Sequence, residues 1–417
     1  MRLAWFSPLP PARTDIAQFT ARVLPALCER AEVTLWTDQR EWDSAIESHA
    51  PVECFDRKAP NWPRLNESRA AFYNIGNDAR FHSAIWEVCR QRPGFAVMHD
   101  VFLHDSFSYH YKKLDDKGSY LKVLGESGRE DGELHWDNVI GVDQMAEKYS
   151  CAPYVLESSL GAIVHSRAAA RTLHDEVDLP VECLRLPYPV PAPPARAPAS
   201  PPWRIVVFGF LGRNRCLEQL LRALASHDSF RLDIYGELND PSAVSHMQDR
   251  VTIHGFVPEE ELDAAIASAH LAINLRFPTK GEASGSQLRI WSHGVPSLVT
   301  RTGWYEELPE ETVLFARPEA MVEDIRAHLG QFAASPKRFA QIGMKGYEYF
   351  AKQHSPQQYA DELVRIASQA ERYHRRWNAL RMADRVAEGL TGWFDSRAVP
   401  GYVDRLAEAI HGTLGFK

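Results

Sequence analysis

The chain has 417 residues, 24% of them charged and 45% hydrophobic, with a formal net charge of -8 at neutral pH. One hydrophobic core does not usually extend over that length, so two or three domains are expected, and the acidic balance argues against nucleic acid as the main partner. Six cysteines, at 28, 54, 89, 151, 183 and 216, have neither metal-ligand nor redox spacing, and no segment holds the roughly 18 consecutive apolar residues of a membrane span. Reduced thiols and a cytoplasmic location are the expectation.

Residues 2 to 7 form a short apolar strand, followed by a Pro-rich turn and an amphipathic helix from about Asp15 to Arg30. That is the opening unit of a parallel α/β sheet. Further strands are expected at 31 to 36, 71 to 75, 96 to 98 and 161 to 164, ending in the polar pairs Thr37-Asp38, Gly76-Asn77, His99-Asp100 and His165-Ser166. In an open parallel sheet ligands bind beyond the C-terminal ends of the strands, so these tips predict one polar edge. Residues 102 to 150 are more charged and carry Gly125-Glu-Ser-Gly-Arg-Glu-Asp-Gly132, which predicts helices with a mobile loop over a cleft.

Eight prolines lie between 187 and 202, the mark of a semi-rigid linker over 189 to 202. It separates a first domain, residues 1 to 188, from a second, residues 203 to 355, in which the strand and helix rhythm restarts. Strands are expected at 204 to 208, 230 to 235, 251 to 256, 271 to 275, 295 to 300 and 313 to 315. Helices are expected at 215 to 226, 259 to 269 and 286 to 293. Residues 356 to 417 read as helices rich in aromatics (Trp377, Trp393, Phe394, Tyr402) that pack back on the first domain, with contact to a membrane surface left open. Two Rossmann-like, doubly wound α/β domains joined by a linker face each other across a cleft, the favoured place for a small ligand.

The densest local signal is Asn274-Leu-Arg-Phe-Pro-Thr-Lys-Gly-Glu-Ala-Ser-Gly-Ser-Gln-Leu-Arg289, a strand end, a Gly/Ser loop and a helix start. Glycines let backbone amides turn outward and a helix N-terminus adds a positive dipole end, so the amides near Gly285 and Ser286 suit a phosphate. Glu282 beside an anion site calls for a neutral polar partner such as sugar hydroxyls. The bland alternative is a loop that merely caps a helix.

The sequence holds no Walker loop, no Gly-x-Gly-x-x-Gly after the first strand, no Gly-x-Ser-x-Gly elbow, no His-Glu-x-x-His and no Asp-x-Asp. What remains are polar tips facing across the cleft. Gly209, Arg213, Arg215, Glu237, Arg276 and Glu282 come from the second domain, and Asp15, Asn77, His99 and Asp100 from the first. Guanidinium groups pair phosphate bidentately, so arginines beside an amide-lined loop can hold a diphosphate. His99 and His104 are spaced to fall on different helix faces with no third or fourth ligand, which disfavours a metal site. A histidine at a cleft edge is better suited to hydrogen bonding or proton transfer.

These residues resemble a family. Phe208-Gly-Phe-Leu-Gly-Arg-Asn-Arg215, Asp233-Ile-Tyr-Gly-Glu237, His254-Gly-Phe-Val-Pro258, Arg276-Phe-Pro-Thr-Lys-Gly-Glu-Ala-Ser-Gly-Ser286, Gly294-Val-Pro296 and Gly303-Trp-Tyr-Glu-Glu-Leu-Pro309 resemble, in this order, the donor-binding lobe of retaining GT-B glycosyltransferases of the family 4 type. Tyr73-Asn-Ile-Gly-Asn77, His82 and Pro93-Gly-Phe-Ala-Val-Met-His-Asp-Val-Phe-Leu-His104 are similar to the first lobe. The resemblance covers most of residues 1 to 365 and implies a GT-B architecture. It implies Arg215 on the donor diphosphate, Glu282 facing the donor sugar, Ser284, Gly285 and Ser286 presenting amides to the phosphate, and His99 near donor sugar and acceptor.

The chain departs from the family pattern twice. Arg289 stands near the place of a second glutamate that contacts the ribose, with spacing one residue shorter, and is expected to strengthen phosphate binding. Thr14-Asp15-Ile-Ala17 stands where the family carries glycine, placing on the acceptor side a carboxylate that either contacts the acceptor or impairs close approach. The implied activity is retaining transfer of a sugar from a nucleotide-diphosphate sugar to a glycan or lipid-linked acceptor. It needs neither metal nor cofactor and serves surface polysaccharide synthesis, in the cytoplasm or peripherally at the inner membrane face. The competing reading is a GT-B-fold binding or scaffold protein without catalysis.

Overall fold

The structure, a computed structural model, describes residues 1–194, 200–238, 244, 247, 249–391 and 405, side chains of 388–391 excepted. The first lobe runs β1 (Arg2–Phe6), α1 (Asp15–Cys28), β2 (Glu32–Thr37), β3 (Val52–Cys54), α2 (Trp62–Asn66), β4 (Ala70–Ile75), α3 (Ala79–Gln91) and β5 (Phe95–Met98). A helical insertion follows, α4 (His104–Leu114), α5 (Lys117–Leu124), α6 (Arg129–Trp136), α7 (Val142–Lys148) and α8 (Ala152–Leu156). The lobe closes with β6 (Gly161–Val164), α9 (Arg167–Glu176) and β7 (Val181–Cys183). Its sheet has the order β3-β2-β1-β4-β5-β6-β7, parallel throughout. Strands covered by helices on both faces need apolar side chains in both directions, which is why β4, β5 and β6 are buried along their whole length.

The second lobe runs β8 (Trp203–Phe208), α10 (Leu217–Leu224), β9 (Phe230–Tyr235), β10 (Val251–Gly255), α11 (Glu259–Ser268), β11 (Leu271–Asn274), α12 (Gly285–Ser292), β12 (Ser297–Thr300) and β13 (Leu314–Ala316). After these come α13 (Met321–Ala334), α14 (Pro336–Gln353), α15 (Pro356–Ser368) and α16 (Ala370–Thr391). The sheet order is β10-β9-β8-β11-β12-β13, again all parallel. In both sheets the strand order reverses beside the first strand of the lobe, between β1 and β4 and between β8 and β11. That is where an open α/β sheet forms its crevice.

The chain crosses back to the first lobe after α14. Arg69 donates to the carbonyl of Ser368 at 2.9 Å, Tyr373 donates to Glu182 at 3.0 Å, and Arg376 pairs with Asp178 at 2.9 Å. The linker runs beside this crossing, with the Tyr188 amide donating to the His354 carbonyl at 2.9 Å and the Tyr347 hydroxyl to the Pro191 carbonyl at 2.8 Å. Residues 195–199 of the expected linker, and Trp393, Phe394 and Tyr402, lie outside the described residues. One buried apolar cluster spans both lobes, taking Trp5, Phe19 and Leu24 from the first and Leu288, Trp291, Trp304 and Tyr305 from the second. No described helix is long and apolar enough to cross a membrane.

Candidate active site

The loop between β11 and α12 folds back on the strand that launches it. The Asn274 side-chain amide donates to Ser284 Oγ and to Gln287 Oε1, each at 3.2 Å, while Ser284 Oγ caps α12 by accepting from the Gln287 amide at 3.1 Å. Within the loop Glu282 Oε2 accepts from Thr279 Oγ1 at 3.0 Å and from the Lys280 amide at 2.6 Å, and Oε1 forms an ion pair with Arg276 at 2.6 Å without a hydrogen-bond partner of its own. Glu282 was expected to meet a neutral partner. The structure instead gives it a guanidinium, which removes the conflict between a carboxylate and a neighbouring anion site.

Arg215 lies in the turn after β8, only 7% exposed, and donates from Nη2 to the Phe208 carbonyl at 3.0 Å. Burial and the nearby Arg276 charge push its pKa down to about 10. Arg276 is affected the other way: burial lowers its pKa, but the Glu282 carboxylate, with help from Tyr305 and Asp100, outweighs this and raises it. Glu282 is thus the carboxylate both guanidiniums feel, with Asp100 acting on Arg276 as well. Arg215 Nε, Arg276 Nε and the hydroxyl of the buried Tyr305 have no hydrogen-bond partner. Buried donors are almost always satisfied in a folded protein, so these three mark an unmet demand for an acceptor, beside the unpartnered acceptors Glu282 Oε1 and Asn274 Oδ1.

The first lobe meets this loop directly. The Lys280 carbonyl accepts from the amides of Val101 at 3.0 Å and Phe102 at 3.1 Å, and Lys280 Nζ pairs with Asp105. Gly281 adopts φ +79°, and a Cβ there would strike Val101, so only glycine permits this approach. Gly285 likewise faces Asp15, whose carboxylate stands where a Cβ would go. Asp15 pairs with Arg22 at 3.6 Å.

Asn77 organises the first-lobe rim. Its amide donates to Asp100 Oδ2 at 2.9 Å, its Nδ2 to Asp105 Oδ2 at 3.4 Å, and its Oδ1 accepts from the Ser106 amide at 3.0 Å. Burial, then repulsion from Glu282, push the Asp100 carboxyl up to about 7. His99 sits against Phe19, ring centroids 4.6 Å apart, with Nε2 3.0 Å from Asn74 Oδ1. Asn74 Nδ2 donates to the Phe6 carbonyl at 2.8 Å, so Oδ1 is the accepting atom and His99 carries its hydrogen on Nε2. Burial, then the neighbouring His165 and His82, hold the His99 pKa well below its ordinary value. The ring is a neutral imidazole with Nδ1 as an acceptor.

The remaining expected residues are more dispersed. Gly209 ends β8 at φ +103°, and Ser286 lies in the first turn of α12. Arg213 is 95% exposed and reaches across to Asp143 at 3.7 Å, while Glu237 is exposed beyond β9. Arg289, expected on the phosphate, has other partners. It pairs with Glu259 at 2.6 Å and Asp263 at 2.8 Å and donates to the Glu259 carbonyl at 2.9 Å. His293 also donates to Asp263, at 2.9 Å. Arg289 therefore ties α12 to α11, and the physical reason is the pair of carboxylates on the facing helix. Four residues of the assembled site were not foreseen: Lys280, Asp105, Thr279 and Tyr305. All four sit inside or beside motif residues as ordinary side chains, and only their contacts in the folded protein distinguish them. Among the described residues, no group of three or more His, Cys, Asp or Glu is placed to hold a metal ion.

Residues 213–365 match the family model described as glycosyl transferase-like. The fold as a whole is similar to sucrose-phosphate synthase from Thermosynechococcus elongatus (TM-score 0.60, 17% identity, 88% of this chain and 98% of that one). It is also similar to Anabaena HepE, solved in complex with UDP-glucose (TM-score 0.62, 12% identity, 88% and 100%). The chain has the GT-B fold, and its second lobe matches a glycosyl transferase-like family model. A glycosyltransferase from Rickettsia africae shares that fold with TM-score 0.58 at 9% identity. No curated protein matches the sequence. The family match falls on the lobe that carries Arg215, Arg276, Glu282 and Tyr305, and the structural likeness extends the same architecture to the first lobe.

Proposed function

We propose that this protein is a glycosyltransferase that moves a sugar from a nucleotide-diphosphate sugar to a hydroxyl of a glycan or lipid-linked acceptor, with retention at the anomeric carbon and without a metal. The observation that carries this is the buried Arg215 and Arg276 pair sharing a single glutamate beside the N-terminus of α12. Like charges in a poorly solvated place are costly unless an anion joins them, and a diphosphate supplies that anion. The crystallised complex of HepE with UDP-glucose supports a sugar nucleotide as the class of donor.

In the proposed step the bond from the anomeric carbon to the donor phosphate breaks as the acceptor oxygen attacks from the same face, and the acceptor proton passes to a phosphate oxygen. Negative charge grows on the departing diphosphate, where fixed guanidinium and amide donors act most strongly. Glu282 positions Arg276. His99 Nδ1, a neutral acceptor, receives a hydrogen bond from a donor or acceptor hydroxyl, and Asn77, Asp100 and Asp15 line the acceptor side. Contact between the lobes at Lys280, Gly281 and Gly285 excludes water that would hydrolyse the donor. A place in surface polysaccharide synthesis at the cytoplasmic membrane face follows from the family resemblance and the acceptor class.

The test is a thermal-shift screen against UDP-, GDP-, dTDP- and ADP-sugars, followed by a transfer assay with the stabilising donor. A ligand that binds only the folded state must raise the melting temperature. One nucleotide series should do so, and transfer should follow; no shift from any series would overturn the donor assignment.

A further inference from the structure

We infer that Tyr305 is a direct ligand of the donor's phosphate, donating its phenolic hydrogen to an oxygen of the group that departs with the nucleoside. This rests on the diphosphate reading above and adds a residue that neither a motif nor the family match singles out. Tyr305 lies in the short turn Gly303–Glu307 after β12, with its amide donating to the Thr302 carbonyl at 3.1 Å and its ring 5.4 Å from that of Trp304. It is 3% exposed, and its hydroxyl has no partner. Buried tyrosine hydroxyls normally find one, because the loss of water is not otherwise made good.

The surroundings say what kind of partner is wanted. Tyr305 stands close enough to both Arg215 and Arg276 to influence their ionisation. A guanidinium has only donors, so neither arginine accepts the phenolic hydrogen. Glu282 accepts from Thr279 and the Lys280 amide at Oε2 and is ion-paired with Arg276 at Oε1, and it makes no hydrogen bond with Tyr305. Three buried donors therefore remain, Arg215 Nε, Arg276 Nε and Tyr305 Oη. A phosphate is an acceptor at every oxygen and answers all three.

A neutral donor also suits this position. The two guanidiniums already repel each other, and a third buried cation would add to that cost. A phenol contributes a hydrogen bond to the anion with no added charge. The rival reading is a core tyrosine whose ring alone matters, and phenylalanine separates the two because it keeps the ring.

The experiment is calorimetric titration of the wild type and Tyr305→Phe with a nucleoside and its diphosphate, in the uridine, guanosine, adenosine and thymidine series, with melting temperatures for both proteins. A hydrogen bond to a charged group corresponds to about a 10- to 100-fold change in affinity. The expected result is that loss for the diphosphate, no change for the nucleoside, and a melting temperature equal to or above the wild type. Equal diphosphate affinity in the two proteins overturns the Tyr305 assignment alone. So does a parallel loss for nucleoside and diphosphate with a lowered melting temperature, which marks a structural role. Absence of diphosphate binding to the wild type in every series overturns the donor reading itself, and Tyr305 with it.

Discussion

The two lobes share one scaffold but treat the polar residues at their strand tips in opposite ways. In the first lobe these residues serve each other: Asn74 holds His99 and the Phe6 carbonyl, Asn77 holds Asp100 and Asp105, and the His82 ring bonds the Asn74 carbonyl at 3.0 Å. Burial lowers the pKa of His82 and His165 to about 4, so that wall carries neutral imidazoles. The second lobe concentrates two guanidiniums around one carboxylate and leaves donors over. Fold alone supplies a crevice on both sides. Leftover donors beside paired cations mark the side that takes a charged ligand, whereas a wall of neutral imidazoles, where His165 Nε2 and Asp105 Oδ1 are among the buried atoms left over, suits a hydroxyl-bearing one.

The sharpest way to break this contrast is to remove a cation. Arg215→Met and Arg276→Met should each lower kcat/KM by about 100-fold or more, the scale for one electrostatic donor, in steady-state transfer assays. In the first lobe Asn74→Ala should instead cost about 2 kcal/mol of stability in denaturant unfolding by stranding buried partners, with little change in donor affinity. Equal losses of donor affinity from both lobes would erase the distinction.

Closure is the next largest effect. Gly285→Ala places a methyl against Asp15 and should reduce kcat/KM by about tenfold through misplacement of the facing walls. Trimming the obstacle in Asp15→Ala/Gly285→Ala should recover most of that loss, and the double-mutant cycle reads the coupling directly. A Gly285→Ala enzyme with full activity would mean that the two walls need not meet during turnover.

Arg289 separates charge that binds ligand from charge that holds the fold. Arg289→Leu leaves Glu259 and Asp263 without their shared cation and should lower stability by about 1 to 2 kcal/mol, with donor affinity nearly unchanged. A collapse of donor affinity at constant stability would return Arg289 to the phosphate.

The smallest effect concerns Asp100. Its folded pKa of about 7 lies above the ordinary value of 3.8, so the unfolded chain releases that proton first and stability falls as pH rises from about 4 to about 7. Asp100→Asn removes the penalty. It should raise the melting temperature at pH 8 relative to wild type and bring no such gain at pH 4. A gain independent of pH would rule out carboxyl titration as its source.

Much of the architecture was legible because buried parallel strands are written as continuous apolar runs: β1, β4, β6, β8 and β11 fall within a residue or so of their expected positions. The short strands β3 and β7 were missed, since three half-buried residues at a sheet edge have no periodicity to read. Residues 102 to 150 were expected as helices with a loop, and α4 to α7 are helices joined by the turn at Gly125 to Gly128. Within the site, glycine and arginine at strand ends identified Arg215, Arg276 and Glu282. Their partners were another matter. The approach of Asp15 to Gly285, of Asp105 to Lys280 and of Glu259 to Arg289 depends on how separate elements meet, and local spacing does not encode it. Tyr305 was within a quoted stretch, yet an aromatic beside Trp304 reads as core until its hydroxyl is seen to be unpartnered.

The most direct measurement is calorimetry of the Arg215→Met/Arg276→Met double variant against wild type, titrating the nucleoside diphosphate of the donor series found by thermal shift and, separately, its nucleoside. Diphosphate affinity should fall by about 100-fold or more, with nucleoside affinity unchanged and a weaker salt dependence in the variant. Retention of wild-type diphosphate affinity would contradict the assignment of the second lobe as the charged donor site.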